Sequence, residues 1–278
     1  MVARYPAEVF GFPVENRGSK VEAIRQAHQC PFVNVRCNKK SRLIPYPMDV
    51  CSVHINEHVV AICPRRFLEN HTVFKDIATD YFGSTNNLIL FREVGLRDVG
   101  SFDYVLVHHK PMSSEVDDFV VIEFQTDQTT STGKLVQALE DFMSGRNVGT
   151  THYSFGMNTY DTLKRSYTQM INKGVVMEQW GQRIYWVLQR YVFDNMVHRY
   201  HPAFTPGSSA THVFAVYDLI RSEETYTLTL QEYVSASVDA LFAALRQNTS
   251  IPEKDQFIAR LEAKIERGKP RLRLDFRQ

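Results

Sequence analysis

No cysteine follows position 63 in this 278-residue chain; all four, Cys30, Cys37, Cys51 and Cys63, crowd into its first quarter. Long hydrophobic runs are missing too. No apolar stretch approaches the roughly 20 residues that a membrane-spanning helix needs, and the opening MVARYPAEVFGFPVENRGSK lacks the apolar core of a secretory signal. A cytoplasmic protein with no membrane partner is therefore expected. Charge of one sign is nearly absent as well: 32 Lys and Arg against 31 Asp and Glu leave a net charge of +1. That balance excludes a broadly basic polyanion binder, though a local basic face would still suffice for phosphate contacts. Internal repeats and low-complexity tracts are missing, which excludes solenoids and disordered linkers.

What remains is an ordinary globular composition, 44% hydrophobic and 23% charged, long enough to bury a substantial core. The expected organisation is a loop-rich N-terminal module, residues 1–70, followed by a larger domain, residues 71–278. The module holds the cysteines at C-x6-C-x13-C-x11-C, a spacing without the tight CxxC knuckle of common zinc fingers. In a cytoplasmic chain such clustering points to a metal or to ordinary buried thiols rather than to disulfides. Two details favour a metal. Cys30 and Cys63 each precede a proline, which shapes a tight turn, and a segment this short and polar usually needs a staple. His54 and His58 compete as ligands, but four thiolates already complete a tetrahedral set.

Residues 21–29 read as a short helix, and VCSVHI with VVAICP as a small hairpin. VFKDIATDYF has helical spacing and stops at Gly83. Three strand-like runs follow, 87–96, 101–110 and 118–126, and then a helix over 131–144 with a serine or threonine N-cap. A helix over 160–174 is expected to close at Gly174. Apolar segments at 183–197 and 211–220, a period-2 strand in TYTLTLQEYVS and two C-terminal helices complete an α/β (α+β) core that is not a βαβ repeat. Trp180 and Trp186 are assigned to packing.

Chemistry is signalled most clearly in VIEFQTDQTTSTG at 121–133. Glu123 interrupts a nearly all-apolar strand, and burying a carboxylate costs several kcal/mol unless it is paired or coordinated. Gln125, two residues on, shares its face. Antiparallel pairing across the 111–117 loop brings Asp103 beside Glu123. Two converging carboxylates suit a hard divalent cation such as Mg²⁺, which can activate water against a phosphodiester. The competing reading makes Asp103 a turn residue and Glu123 a salt-bridged strand polar. Basic residues cluster at 36–42, 64–66 and 267–278, each ordinarily a solvated surface.

Asp, a hairpin and then Glu-x-Gln resembles the metal-binding core of the PD-(D/E)XK nucleases. The wider pattern, EVGL…GSFDYVLV…FVVIEFQTDQTTSTG, resembles the NotI-like type II restriction endonucleases, which also carry an N-terminal four-cysteine site for a single iron. The resemblance spans residues 25–140. It implies a PD-(D/E)XK core, a mixed central sheet flanked by helices, and a DNA-contacting four-cysteine module. Asp103, Glu123 and the Phe124 carbonyl would ligate Mg²⁺, with Gln125 in the place of the usual lysine and Glu93 supporting from upstream. Cys30, Cys37, Cys51 and Cys63 would hold one iron, or zinc. A lysine displaced to a neighbouring helix is sought at Lys134. Candidate DNA contacts are Arg36, Lys39, Lys40, Arg42, Arg65 and Arg66, with Thr126, Thr129 and Thr130 and the amides at the start of the 131–144 helix. The implied activity is Mg²⁺-dependent hydrolysis of double-stranded DNA at a GC-rich palindrome by a homodimer, with no small-molecule substrate. Alternatives are a structure-specific repair nuclease of the same superfamily and a non-catalytic, metal-stapled DNA-binding protein.

Overall fold

The computed structural model describes residues 3–247 and 253–267. The basic cluster at 267–278 therefore lies outside the described residues, Arg267 excepted. The chain opens with β1 (Arg4–Val9) and β2 (Phe12–Pro13), then α1 (Ser19–Gln26), β3 (Gln29–Cys30) and β4 (Val35–Arg36). The hairpin of β5 (Val50–Ile55) and β6 (His58–Ala61) leads through a kinked 3-10 stretch, Pro64–His71, into α2 (Thr72–Phe82). A meander follows: β7 (Leu88–Leu96), β8 (Gly100–His109) and β9 (Val116–Gln125). After β10 (Thr129–Thr130), α3 (Thr132–Met143) and β11 (Gly156–Met157) comes the long α4 (Thr159–Trp180). Then come β12 (Ile184–Gln189), α5 (Arg190–Tyr200), β13 (Thr205–Pro206), β14 (His212–Ser222), β15 (Thr225–Ala236), α6 (Val238–Arg246) and α7 (Lys254–Glu266).

The central sheet has seven strands in the order β13-β15-β14-β12-β9-β8-β7. β7, β8 and β9 pair antiparallel, whereas β12 runs parallel to both β9 and β14. Two parallel crossovers thus occupy the middle of an otherwise antiparallel sheet, so the core is mixed α/β and not a βαβ repeat, as expected. Parallel strands need both faces covered, and the burial pattern obeys: every residue of β12 is buried. On β9 the alternation is clean. Val120 and Ile122, with Phe124 packed against them, face Phe67, Phe74 and Ile77 of the 3-10 stretch and α2. Val121 faces the α4–α6 side, which makes Glu123 and Gln125 face that way as well.

α4 owes its position to Leu163, Tyr167, Met170, Gly174 and Met177, buried at helical spacing along one stripe. It does not close at Gly174, as the sequence suggested, but runs on to Gly181, whose φ of +67° suits glycine at a helix end. Gly174 sits inside because a Cβ there would lie 2.1 Å from His212 Nε2 and 2.9 Å from Val238 Cγ2. That glycine is a packing residue, and a stop signal was read from a close approach. The expected cap of α3 also differs: Ser131 takes a left-handed φ of +53° and its side chain accepts no capping bond. Trp186 is fully buried, but Trp180 remains about half exposed at an edge of Phe119.

The N-terminal segment forms a second sheet, β2-β1-β5-β6. Its apolar face, Val9, Val50, Val53 and Val60, packs with Leu135, Leu139 and Phe142 of α3, so the small sheet acquires its core from the helix that follows β9 and β10. Two buried polar clamps fasten it to the main sheet. Gln189 at the end of β12 accepts from Ala61 N at 2.5 Å and donates to Val59 O at 3.0 Å. Arg66 pairs with Glu8 at 3.1 Å and Glu69 at 2.9 Å, and donates to Tyr226 O at 2.6 Å.

Candidate active site

The antiparallel ladder between β8 and β9 registers Tyr104 against Ile122 and ends there. One step further the same register sets Asp103 opposite Glu123, as the hairpin arithmetic predicted. Here the strands exchange side-chain bonds instead of ladder bonds. Phe124 N donates to Asp103 Oδ2 at 2.9 Å, and Asp103 N lies 3.4 Å from Glu123 Oε1. The carboxylates therefore stand side by side at the lip of a cavity of about 230 Å³, also lined by Gln125, Gln169, Arg165 and Lys173.

Lys173 is a cavity-lining residue that sequence reasoning missed. It reaches from α4 to within 2.6 Å of Glu123 Oε1 and 2.8 Å of Ser101 O, and only about 5% of it is exposed. Lys134, the lysine expected there, instead bonds Gln137 on the exposed face of α3. Lys173 carried a faint signal, a lysine on the apolar stripe of a helix, but nothing tied that helix to Glu123. Burial pushes the Glu123 carboxyl up to about 7, against the opposing pull of Lys173. Gln125 shares the cavity as expected: its Oε1 accepts from Ser166 Oγ at 2.6 Å and its Nε2 donates to Gln169 at 3.2 Å.

Glu93 lies opposite Asp103 on the other side, flanked by the Arg92–Tyr104 and Val94–Phe102 pairs. Its φ is +53°, a left-handed conformation inside a strand, and it is not among the residues that line the first cavity. It lines a larger one of about 660 Å³, with Arg65, Arg92 and Thr126, that shares Asp103 with the first cavity.

The four cysteines converge. Cys30, Cys37, Cys51 and Cys63 line one small cavity of about 10 Å³ with Lys39, Asp49 and Arg65. Burial pushes the Cys37 thiol up to about 12 and raises the Asp49 carboxyl to about 6, while Asp49 Oδ1 is buried without a partner. As the side chains stand, no three His, Cys, Asp or Glu among the described residues are grouped to hold an ion.

The candidate DNA contacts divide. Arg36, Lys40 and Arg42 are exposed on the loop beside Cys37, and Thr130 is exposed on β10. Thr126 and Arg65 are half-buried beside Asp103, and Thr129 is half-buried in β10. Lys39 is tied down, donating to Val50 O at 3.1 Å and Ile62 O at 3.2 Å. Arg66 is a correction: fully buried and paired with Glu8, it cannot meet DNA. Arg165 was not foreseen; it is exposed at the rim of the Asp103–Glu123 cavity.

A sequence model of the family described as Restriction endonuclease NotI matches residues 15–230, more than three-quarters of the chain. The chain belongs to the NotI restriction endonuclease family. The matched stretch contains the four cysteines, Asp103, Glu123, Gln125 and Lys173, so the NotI family assignment covers the thiol cluster and the carboxylate pair together. No curated protein matches the chain significantly.

Proposed function

We propose that this chain is a Mg²⁺-dependent type II restriction endonuclease that hydrolyses double-stranded DNA at a GC-rich palindrome as a cytoplasmic homodimer. The observation that carries the reading is the carboxylate pair, Asp103 beside Glu123, at the mouth of a polar cavity with Lys173 behind it. The donor set fits the ion. Two carboxylates and the Phe124 carbonyl are hard oxygens on an open cavity, the combination Mg²⁺ accepts while retaining waters. When bound, Mg²⁺ supplies charge stabilisation at the scissile phosphate and acidifies water.

The chain's own residues account for the rest. Asp103 and Glu123 fix the site at the end of two paired strands. The Lys173 ammonium, 2.6 Å from Glu123, holds a positive charge where a phosphate oxygen or attacking water would gather. Gln125 is held by Ser166 and Gln169, so its amide orients water without acting as a base. Arg165, Thr126 and Arg65 border the cavities from which the DNA backbone approaches. Exposed Arg36, Lys40 and Arg42 supply the basic face beside the thiol cluster. Cutting both strands of a palindrome calls for two such sites related by a two-fold axis.

The cysteine cavity suits a thiolate metal. Four soft donors and an unpartnered carboxylate oxygen line it, although as the side chains stand no three of them are drawn close enough together to hold an ion. We assign it one iron or zinc, which metal analysis of the purified protein tests; less than about half an equivalent of metal per chain rejects the assignment.

The decisive experiment is digestion of phage DNA with Mg²⁺ followed by end sequencing. Discrete fragments bearing 5′-phosphates at one palindrome are expected, lost on Asp103→Asn or Glu123→Gln with folding intact. A smear or structure-dependent nicking supports a repair nuclease instead, and undiminished cleavage by either variant removes the carboxylates from catalysis.

A further inference from the structure

Three residues at the end of β9 reach α4, and they do so in order. Glu123 Oε1 meets Lys173 Nζ at 2.6 Å, Gln125 accepts from Ser166 and donates to Gln169, and Asp127 accepts from both Thr159 and Thr162. Positions 123, 125 and 127 share one side of an extended chain. Thr162, Ser166, Gln169 and Lys173 recur at helical spacing along one stripe of α4. Strand end and helix are thus buttoned together in opposite directions, with Glu123 at one end and Asp127 at the other. Glu123, Gln125, Gln169 and Lys173 line the cavity, whereas Asp127 does not. Asp127 is fully buried, and the proposed chemistry gives it no part.

We infer that Asp127 is a positioning residue: its grip on Thr159 and Thr162 sets the roll of α4 and so aims Lys173, Ser166 and Gln169 at the carboxylate strand. Its Oδ2 accepts from Thr159 Oγ1 at 2.5 Å, and its Oδ1 accepts from Thr162 Oγ1 at 2.9 Å and from Gln128 N at 2.7 Å. The helix has no cap of its own, since Asn158 makes no side-chain capping bond. The main-chain bond from Asn158 N to Gln128 O, 2.7 Å, pins the same turn at one point. A single point leaves a helix free to turn about its axis. Two hydroxyls three residues apart, held by one carboxylate, do not. Leu163, Tyr167 and Met170 seat α4 on the sheet, but apolar contact is non-directional, and the hydroxyl pair supplies the direction.

Geometry sets the size of the effect. At the roughly 5–6 Å radius of a helix with its side chains, a roll of about 10° carries a side-chain tip about 1 Å. A displacement of that size costs about 100-fold in rate when it falls on groups that must be aligned. The role rests on the proposed function, because Asp127 acts only through Lys173 and Gln125 at that site.

Cleavage kinetics and urea unfolding of the full chain test it. Asp127→Ala is expected to lower kcat about 100-fold with KM for DNA within about threefold, because exposed arginines adapt to a shift that buried Lys173 cannot. Asp127→Asn should stay within about threefold of wild type in both, since its oxygen still accepts from Thr162 and its amide can donate to the Thr159 hydroxyl. Should Asp127→Ala fail to fold, Thr159→Val carries the test: its shape is nearly kept and its hydroxyl lost, for about a tenfold fall in kcat. Thr159→Ser, which drops the methyl and keeps the hydroxyl, should show none. A second readout needs no cleavage. Independent substitutions multiply in the unfolding constant to within about twofold. A shared register instead predicts a departure of about fivefold or more when Asp127→Ala, or Thr159→Val in its place, is combined with Lys173→Met. The inference is overturned by wild-type kcat in folded Asp127→Ala or in Thr159→Val, by a Thr159→Ser as slow as Thr159→Val, or by unfolding effects that simply multiply. An Asp127→Asn as slow as Asp127→Ala also overturns it, because the charge would then act directly. A wild type that cuts no DNA but shows the coupling refutes the proposed activity and keeps the register; one that cuts DNA at full rate with every variant refutes the positioning role alone.

Discussion

Glu123 should make the metal-free protein lose stability as pH rises, a trend opposite to that of an ordinary surface carboxylate. Burial raises its folded pKa from 4.5 to about 7, and Lys173 offsets only part of that burial. Between those two values the folded chain keeps a proton that the unfolded chain has released. Stability from this group is therefore greatest below pH 4.5, falls through the window, and is constant above about pH 7. The size of the rise corresponds to about 3 kcal/mol. Only 2% of the side chain is exposed, so solvent screening removes little of it. Denaturant unfolding in chelator from pH 4 to 8 measures the effect, with Glu123→Gln as reference. Subtraction is needed because Asp49 and Asp127 are also raised by burial and slope the same way. The wild-type-minus-variant difference should fall by about 3 kcal/mol between pH 4.5 and 7. Added Mg²⁺ should flatten it, because a cation favours the ionised carboxylate. A difference that stays within about 1 kcal/mol across the window would show that Glu123 titrates normally, and the dominance of burial over the pull of Lys173 would then be wrong.

Two further outcomes follow from packing. Gly174→Ala inserts a methyl 2.1 Å from His212 Nε2, so it should cost about 1–3 kcal/mol in thermal or urea unfolding and lower cleavage by shifting the adjacent Lys173; wild-type stability and rate would contradict the close approach. Arg65→Ala and Arg66→Ala should separate cleanly: the first weakens DNA binding in a salt-dependent way with stability kept, and the second costs about 3–5 kcal/mol by stranding Glu8. Equal effects from the two neighbours would defeat the assignment of their sides.

The meander β7–β9 and its carboxylates were legible because local rules settle them: period-2 alternation gives the faces, and a short hairpin loop fixes the register of Asp103 on Glu123. Clustering alone brought the four cysteines together. Lys173 was not legible. It comes 50 residues after Glu123 and meets it only because α4 crosses the sheet face, a tertiary fact with no local signature. Gly174 misled for the same reason, since close approach to His212 looks in sequence like a helix stop. Arg65 and Arg66 read alike in PRR, yet successive residues on a 3-10 turn point about 120° apart. One lines the cavity beside Asp103 and the other is buried against Glu8 of the small sheet.

The exchange of bonds between Asp103 and Phe124, and between Glu123 and Asp103, gives the carboxylates a second employment. They hold shut the fork where β8 and β9 part, and the width of that fork is the width of the site. Truncation to alanine would both empty the donor set and release two main-chain amides, so a dead alanine variant reports on chemistry and architecture at once. The amide replacements, which still accept from those N–H groups, leave the fork closed. They are the substitutions with which an uncut DNA complex could be trapped in its working shape.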